Sequence, residues 1–507
     1  MLRPIAPFLI IAAGWTLPAL GQCPDGTPPP CQRARTSSAA APASSIAVLY
    51  FDNLSRDTGD VYLADGFTEE VMNRLGQVEG LQIKSRAAVQ SLRARGAADP
   101  LAAGRSLNVA HLVSGSVLRQ RGRVRVNVEL TRVSSGNRVW GGSFDRGAED
   151  LISTEAEIAE SVAVNVGARL APAERQRVEA RPTRNAAAYD HLLRGRFEQR
   201  RSTTAGNLAA IRQFQAALAI DPGLTSARVH MAASYGLLGT LYYSPEAGLS
   251  RDSLLALRER NLEQALREDS TSVDALMAQT AGQSPAAAIS LIERALAAEP
   301  RNADVHHSYA LYLRQVGRET EAIAEFRRAF EIDPDRAISL VNLGQTYVMM
   351  RDFASGSLWV DSALTLHPEA SFYYKEAALT RLLLGDTAGA RAIAPQIAGH
   401  GSVEGQQEIV AMLAARAGDS ATARAIALRI DSTWARRDCF VSHECLEVAM
   451  TLGAAGLREK AVSMFERMAP RGSWLVYWSR RPELDVIRNE PRFQAVLTQS
   501  RIHPVER

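Results

Sequence analysis

The stretch "GRETEAIAEFRRAFEIDP", residues 317–334, decides the fold of most of this chain. Its characteristic residues stand at fixed offsets and are Gly317, Ala322, Phe326, Ala329 and Pro334. A small residue such as Ala322 lets two helices approach closely, while Phe326 fills the space beside the next pair. A proline cannot continue a helix, so Pro334 marks a helix end. The stretch therefore predicts the second helix of a helix-turn-helix pair.

This pattern repeats along the chain. The prolines at 300, 334 and 368 are 34 residues apart. The other matching positions are Ala210, Phe214, Ala217, Pro222, Ala288, Ile292, Ala295, Leu343, Gly344, Tyr347 and Ala363, followed by Gly385, Ala390, Gly418, Ala423, Gly456, Ala461 and Phe465. The pattern resembles the tetratricopeptide repeat. Because one such pair cannot bury its apolar face alone, we expect an all-α superhelix of about seven pairs over residues 185–470, with an insertion near 240–250.

The resemblance implies a partner-binding groove lined by the first helix of each pair. Its predicted lining residues are His307, Leu311, Arg314, Gln315, Val341, Gln345, Met349, Lys375 and Leu379. Such a groove suits an extended peptide or a helix. The alternative is that some of these side chains only pack neighbouring helices together.

Residues 45–172 predict a separate α/β domain. A buried strand is expected at 46–51, a helix at 66–77, a second strand at 81–85 and short helices at 86–93 and 101–107. Alternation of Val124, Val126 and Val128 with polar residues marks the middle strand of a three-stranded meander, and a helix over 150–170 closes the unit. The blocks "IAVLYFDNLS", "YLADGFTEEVMNRL" and "DLISTEAEIAESV" resemble the TolB-like amino-terminal domain family. That resemblance implies a non-catalytic mixed-sheet domain that assists envelope assembly or signalling complexes.

Acidic residues crowd the start of this domain. Asp65 is expected to cap a helix, with Glu69 and Glu70 in its first turn, where negative charge favours the helix dipole. Asp52 is expected to end a strand, and Asp57 and Asp60 to lie in a loop. The alternative is a magnesium site built from Asp52 and Asp65, because ligands gather at strand ends of α/β sheets. We favour the interpretation in which these acids stabilise the helix, the strand end and the loop, and do not bind a metal.

Neither catalysis nor nucleic-acid binding is indicated. The sequence contains no phosphate-binding loop, nucleophile elbow or H-E-x-x-H zinc motif. The adjacent pair His306 and His307 projects to different faces of a helix, so it cannot chelate a metal. The net charge is +3, spread along 507 residues, which excludes a concentrated basic surface. We expect no enzyme activity, cofactor or metal.

The N-terminus predicts export. Arg3, an apolar run and small residues before position 22 are typical of a signal peptide over residues 1–21, followed by a Pro/Ala/Ser-rich linker over 22–44. Two alternatives stay open: an uncleaved anchor, and lipidation at Cys23, although Gln22 before it is larger than that modification requires. After cleavage no stable transmembrane span is expected.

The four cysteines are expected to form two local disulfides, since disulfides persist in oxidising compartments. One pair is Cys23 with Cys31, in a predicted loop of the linker, and the other is Cys439 with Cys445. A zinc site from Cys439, His443 and Cys445 is the alternative, but it lacks a fourth ligand. Residues 471–507 are expected to form a C-terminal helical cap.

Together these features predict a protein-binding adaptor of the bacterial cell envelope, periplasmic or secreted. Two alternatives stay open: an accessory sensor for a membrane kinase or cyclase, and an enzyme whose site escapes recognition.

Overall fold

The computed structural model describes residues 41–94, 99–240, 246, 248–333, 336–366, 368, 371–400, 402–434, 444–468 and 473–499. A small mixed sheet with its helices comes first, and a long series of helices follows. The expected signal peptide, most of the linker and several predicted site residues lie outside the described residues, namely Cys23, Cys31, Pro334, Cys439 and His443.

The sheet has the strand order β3-β1-β4-β5-β6, with the short β2 paired to β4. Its strands are β1 Ser45–Val48, β2 Asp52–Asn53, β3 Gln82–Ile83, β4 His111–Gln120, β5 Arg123–Arg132 and β6 Arg138–Gly147. Strand β1 runs parallel to β3 and β4, while β4, β5 and β6 form the antiparallel meander. Arg121 and Gly122 have φ of 51° and 78°, the backbone of a tight hairpin turn between β4 and β5.

Five helices complete this α/β unit: α1 Val61–Gly76, α2 Arg86–Ala94, α3 Pro100–Ser106, α4 Leu151–Asn165 and α5 Pro172–Glu179. Two bounds differ from the prediction. Helix α1 begins at Val61, well before residue 66, and α4 ends at Asn165 because Gly167 adopts a φ of +88° there. The unpredicted α5 opens on Pro172, which suits a first helical turn, and extends the unit to Glu179.

Sixteen helices of the described chain then pack in consecutive order as eight pairs, one more than expected. The pairs are α6 Ala186–Gln199 with α7 Thr204–Ile220, α8 Thr225–Gly239 with α9 Arg251–Glu268, α10 Val273–Thr280 with α11 Pro285–Ala298, α12 Ala303–Gln315 with α13 Glu319–Ile332, α14 Ala337–Met349 with α15 Phe353–Leu366, α16 Ser371–Leu384 with α17 Thr387–Gly399, α18 Val403–Arg416 with α19 Ser420–Trp434, and α20 Glu444–Ala454 with α21 Arg458–Glu466. In the first pair Ser202, not glycine, takes the left-handed position of the turn.

The repeated small residues lie where the two helices of a pair meet. A Cβ added to Gly344 would lie 2.6 Å from Cγ2 of Val360 and 2.8 Å from the carbonyl oxygen of Gly356. Ala322, Phe326 and other repeat positions are fully buried, including Ala210, Phe214, Ala217, Ala295, Ala329, Leu343 and Ala363. Pro222, Pro300 and Pro368 each follow the end of a second helix.

The turn inside most pairs contains a residue with positive φ. Gly317, at +78°, follows α12, and its amide donates to the carbonyl of Arg314. This left-handed position ends the first helix of the pair, and glycine adopts it at least cost. In the fifth pair the position is held by Arg351, with a φ of 67°.

Three elements follow the array: α22 Ser473–Ser479, a 3₁₀ helix Pro482–Ile487 and α23 Pro491–Gln499. One apolar core joins the α/β unit to the first pairs, and a second joins the last pairs to these C-terminal elements. Among the helices of the described chain, none combines the length and the apolar character that a membrane crossing requires.

Candidate functional site

The acidic residues of α1 fasten the α/β unit to the helical array. Because α1 begins at Val61, Asp65 is not a helix cap, and Glu69 and Glu70 lie beyond the first turn, which corrects the sequence prediction. Asp65 is nearly buried and accepts hydrogen bonds from Arg93 at 2.9 Å and from Arg200 of α6 at 3.2 Å.

Glu69 is the most heavily bound of these acids. Its side chain is 2% exposed and lies 3.0 Å from Arg200 and 3.4 Å from Arg196, both on α6. Arg86 approaches it at 3.4 Å, and the hydroxyl of Tyr50 donates to it at 3.1 Å. The first helix of the array thus supplies two cations to carboxylates of the α/β unit.

A second polar contact joins the same two helices. The hydroxyl of Tyr62 donates to Asp190 of α6, and the guanidinium of Arg194 lies 4.3 Å from the centre of the Tyr62 ring. Burial and the Asp190 carboxylate raise the pKa of Tyr62, so it remains a neutral donor. Gly66 permits the close packing, since a Cβ there would lie 2.9 Å from Cδ2 of Leu193.

The magnesium alternative finds little support in this geometry. Both carboxylate oxygens of Asp65 bind arginines, while Asp52 is exposed on β2. In the described ranges no group of three or more His, Cys, Asp or Glu side chains is arranged to hold a metal ion. Asn53 accepts a hydrogen bond from the amide of Ser55 at 3.0 Å, as expected of a turn residue.

Most of the predicted groove residues are buried, so they do not line an open groove. The buried ones are His307, Arg314, Val341, Gln345, Met349, Lys375 and Leu379, while Leu311 and Gln315 are half-buried. Residues 473–488, which we call the C-terminal strap, contact the face formed by the first helices of the pairs, hereafter the first-helix face, at Arg314 and Glu376. Burial favours the packing alternative for the innermost side chains.

The strap reaches back to the fourth pair. The guanidinium of Arg314 lies 4.2 Å from the ring centre of Tyr477 and 5.1 Å from that of Phe326, so it stacks between an array residue and a strap residue. Arg480 forms an ion pair with Glu319 at the start of α13.

Further contacts hold the strap to later pairs. Arg481 donates two hydrogen bonds to Glu376 of α16, at 3.1 and 3.3 Å, and both side chains are almost fully buried. Asp485 lies 2.8 Å from Arg351, the residue in the left-handed turn of the fifth pair. The strap therefore spans several pairs of the array.

The two adjacent histidines have separate partners. Nδ1 of His307 lies 2.9 Å from the hydroxyl of Ser339, and burial lowers the pKa of His307 to about 3, which keeps it neutral. His306 bonds Glu325 and the carbonyl of Pro300, and Glu325 raises its pKa despite burial.

Lys375 lies in a buried cluster rather than on a groove surface. Its ammonium pairs with Glu447 at 2.5 Å and with Glu408. Burial and the nearby Glu447 raise the pKa of Glu408 to about 7, although Lys375 opposes the shift. Burial disfavours the charged form of the carboxyl, which accounts for the direction.

Cys445 is fully buried in α20 and is disulfide-bonded. Its partner lies outside the described residues, so pairing with Cys439 stays a prediction.

Sequence reasoning missed the strap and the α1–α6 contacts. The signal for the strap was present in "WLVYWSRR", residues 474–481, where aromatic residues precede two arginines. Such a segment suits an acidic, partly apolar surface.

No protein-family model matches the chain. A curated relative, "Putative adenylate cyclase 3" of Rhizobium meliloti (strain 1021), is 31% identical over 188 residues, 37% of this chain and 32% of that protein. The chain thus matches only about a third of that relative's length.

Solved structures with a likeness to the chain include two that cover much of it. PilF of Pseudomonas aeruginosa is 22% identical, with 41% of this chain and 95% of that chain covered and a TM-score of 0.33. Yeast Tom70 is 12% identical, with 69% of this chain and 82% of that chain covered and a TM-score of 0.38.

Proposed function

We propose that the chain is a non-catalytic scaffold of the bacterial cell envelope that binds protein or peptide partners on the first-helix face. One observation carries this proposal: that face already holds a polypeptide segment, the strap, through Arg481 with Glu376 and Tyr477 with Arg314. A surface built from successive helix pairs offers a long row of such contacts.

The α/β unit, which we propose to be TolB-like, supports this role as a rigid attachment. Carboxylates of α1 pair with Arg196 and Arg200, and the apolar core continues from the sheet into the first pairs. A partner bound by either part is thereby held at a fixed position relative to the other.

A pull-down from envelope extracts tests the proposal. We expect specific protein partners that are lost when Gln315, half-buried on α12, is replaced by glutamate, but retained when the exposed Arg328 on α13 is replaced. Absence of partners, or their equal loss in both variants, would contradict binding at this face.

A second candidate is an accessory regulator of a membrane kinase or cyclase, favoured by the likeness to the Rhizobium protein. A cyclase or kinase among the specific partners would support it. The absence of catalysis is tested by thermal-shift screening with metals and nucleotides; a shift lost in Asp52→Ala would overturn the non-catalytic assignment.

Export is also part of the proposal. Mass spectrometry of the mature protein is expected to find Gln22 as the first residue, and an intact Met1 would contradict cleavage. The same measurement detects lipidation at Cys23.

A further inference from the structure

We infer that the C-terminal strap is an exchangeable internal ligand, and that an external partner binds the same face with a segment of the same chemistry. The expected segment carries an aromatic residue three positions before the first of two arginines. This inference rests on the proposed function and names the class of partner.

The face has the acidic groups that such a segment needs. Glu376 on the first helix α16 binds Arg481, and Glu319, at the start of the second helix α13 of another pair, binds the adjacent Arg480. Charge-assisted hydrogen bonds are strong, so two consecutive arginines bound to carboxylates of different pairs fix the register of the bound segment.

The aromatic position is equally defined. Tyr477 lies against the guanidinium of Arg314, which also lies 5.1 Å from the ring centre of Phe326. Arg314 is 3% exposed, so this position is desolvated while the strap is bound. Aromatic and arginine residues are the usual anchors of protein interfaces, and both occur here in one short segment.

The strap does not satisfy every polar group that lies on this face. The side-chain amide nitrogen and oxygen of Gln345 are both buried and make no hydrogen bond within the described chain. Nε of Arg314 is likewise buried without a hydrogen bond there. A buried polar group without a partner is costly, so a ligand that accepts a hydrogen bond from Nε of Arg314 would satisfy a group that the strap does not.

One strap contact is made at a strained position. Arg351 retains a φ of 67° where Gly317 and Gly385 occupy the equivalent turns, and its side chain bonds Asp485 of the strap. A turn that favours glycine instead carries an arginine that reaches the strap, which ties this position to strap binding.

A labelled peptide of residues 473–488 tests the inference by fluorescence anisotropy on the full chain. In the wild type the attached strap competes at high effective concentration. The variant Arg480→Ser with Arg481→Ser weakens the attached strap, and we expect it to bind the peptide at least about tenfold more tightly than the wild type does. Adding Glu376→Gln to that variant should remove most of the gain.

The matched control is Arg492→Ser. This residue pairs with Glu466 and Glu459 outside the first-helix face, so its loss should leave peptide affinity at the wild-type value. Equal binding by all variants would show that the peptide binds elsewhere, and absence of binding by the opened variant would show that the strap is only a structural cap. Either result overturns the inference.

Hydrogen exchange on the unmodified chain gives an independent result that does not depend on a variant folding. Amides of the strap should exchange before those of α12, α14 and α16. Exchange of the strap only on global unfolding would overturn the inference. If the opened variant does not bind the peptide while envelope partners are still lost on replacement of Gln315, the proposed function stands and only the strap inference is overturned.

Discussion

Arg481 of the strap donates two hydrogen bonds to Glu376 of α16, at 3.1 and 3.3 Å, across 105 residues of sequence. Both side chains are almost fully buried, and Glu483 also binds the same guanidinium at 3.0 Å. The contact joins the end of the chain to the middle of the array, and it connects the fold with the proposed binding surface.

Removing this arginine should destabilise the last pairs. Arg481→Ala leaves Glu376 without its cation at the buried interface, and loss of one partner of a buried ion pair costs about 3–5 kcal/mol. Urea unfolding followed by circular dichroism measures the change. Arg492→Ala, which removes exposed ion pairs, is the control and should shift the midpoint far less; equal shifts would contradict the importance of burial here.

The carboxylate of Glu69 should be needed to dock the α/β unit. Glu69→Ala removes the most buried carboxylate that Arg196 and Arg200 of α6 share, although Glu70 and Asp65 remain beside them. We therefore expect a loss of about 1–3 kcal/mol and faster proteolysis between α5 and α6. Asp57→Ala changes an exposed loop acid and should cost less than about 1 kcal/mol. Wild-type proteolysis of the Glu69→Ala chain would show that the apolar core alone holds the units together.

A methyl group at Gly344 should destabilise the fifth pair. In Gly344→Ala the new Cβ would lie 2.6 Å from Val360, and overpacking of this kind costs about 1–3 kcal/mol. Gly399→Ala is the matched control, because no atom lies within 4 Å of the added Cβ, and it should be neutral or stabilising. Thermal unfolding distinguishes the two, and a neutral Gly344→Ala would contradict the close approach.

Arg351→Gly should separate stability from strap binding. Glycine relieves about 1 kcal/mol of left-handed strain, while the lost surface ion pair with Asp485 is worth about 0–1 kcal/mol. We therefore expect unchanged or slightly higher stability together with faster hydrogen exchange in the strap. Asp485→Asn removes the ion pair but keeps the left-handed strain at Arg351. It should therefore accelerate hydrogen exchange in the strap without raising the stability of the chain. Unaltered strap exchange in both variants would exclude a role for the pair.

Glu408 should make stability depend on pH. Its folded-state pKa of about 7 lies above the ordinary value of 4.5, so the folded chain holds a proton that the unfolded chain has released. The stability contributed by this group therefore falls as pH rises from about 4.5 to about 7. In Glu408→Gln this decline should disappear from unfolding midpoints measured across that range. A variant with the wild-type pH profile would assign the dependence to other groups.

The sequence predicts much of this architecture because its main signals are local. Alternation in β5 and the spacing around Phe326 report which side chains are buried, and burial follows from periodicity within one element. The sequence predicts too late a start for α1, because Asp65 has the residue type of a helix cap. In the structure Asp65 instead accepts a hydrogen bond from Arg200, far along the chain. Such long-range pairs leave no local pattern.

The lack of a local pattern for long-range contacts also explains why the predicted groove residues are buried. His307, Gln345 and Lys375 have the spacing of residues that line the first helices, but their exposure depends on what covers them. Other helices of the array cover two of them, since Ser339 contacts His307 and Glu447 contacts Lys375, and neither periodicity nor composition records such contacts.

The most direct test of partner binding at the first-helix face is photo-cross-linking in cells, with a photoreactive phenylalanine analogue at position 315 of α12 or at position 328 of α13. A protein adduct at 315 that is absent at 328 is the predicted result. Adducts at neither position, or at 328 alone, would contradict partner binding on the first-helix face.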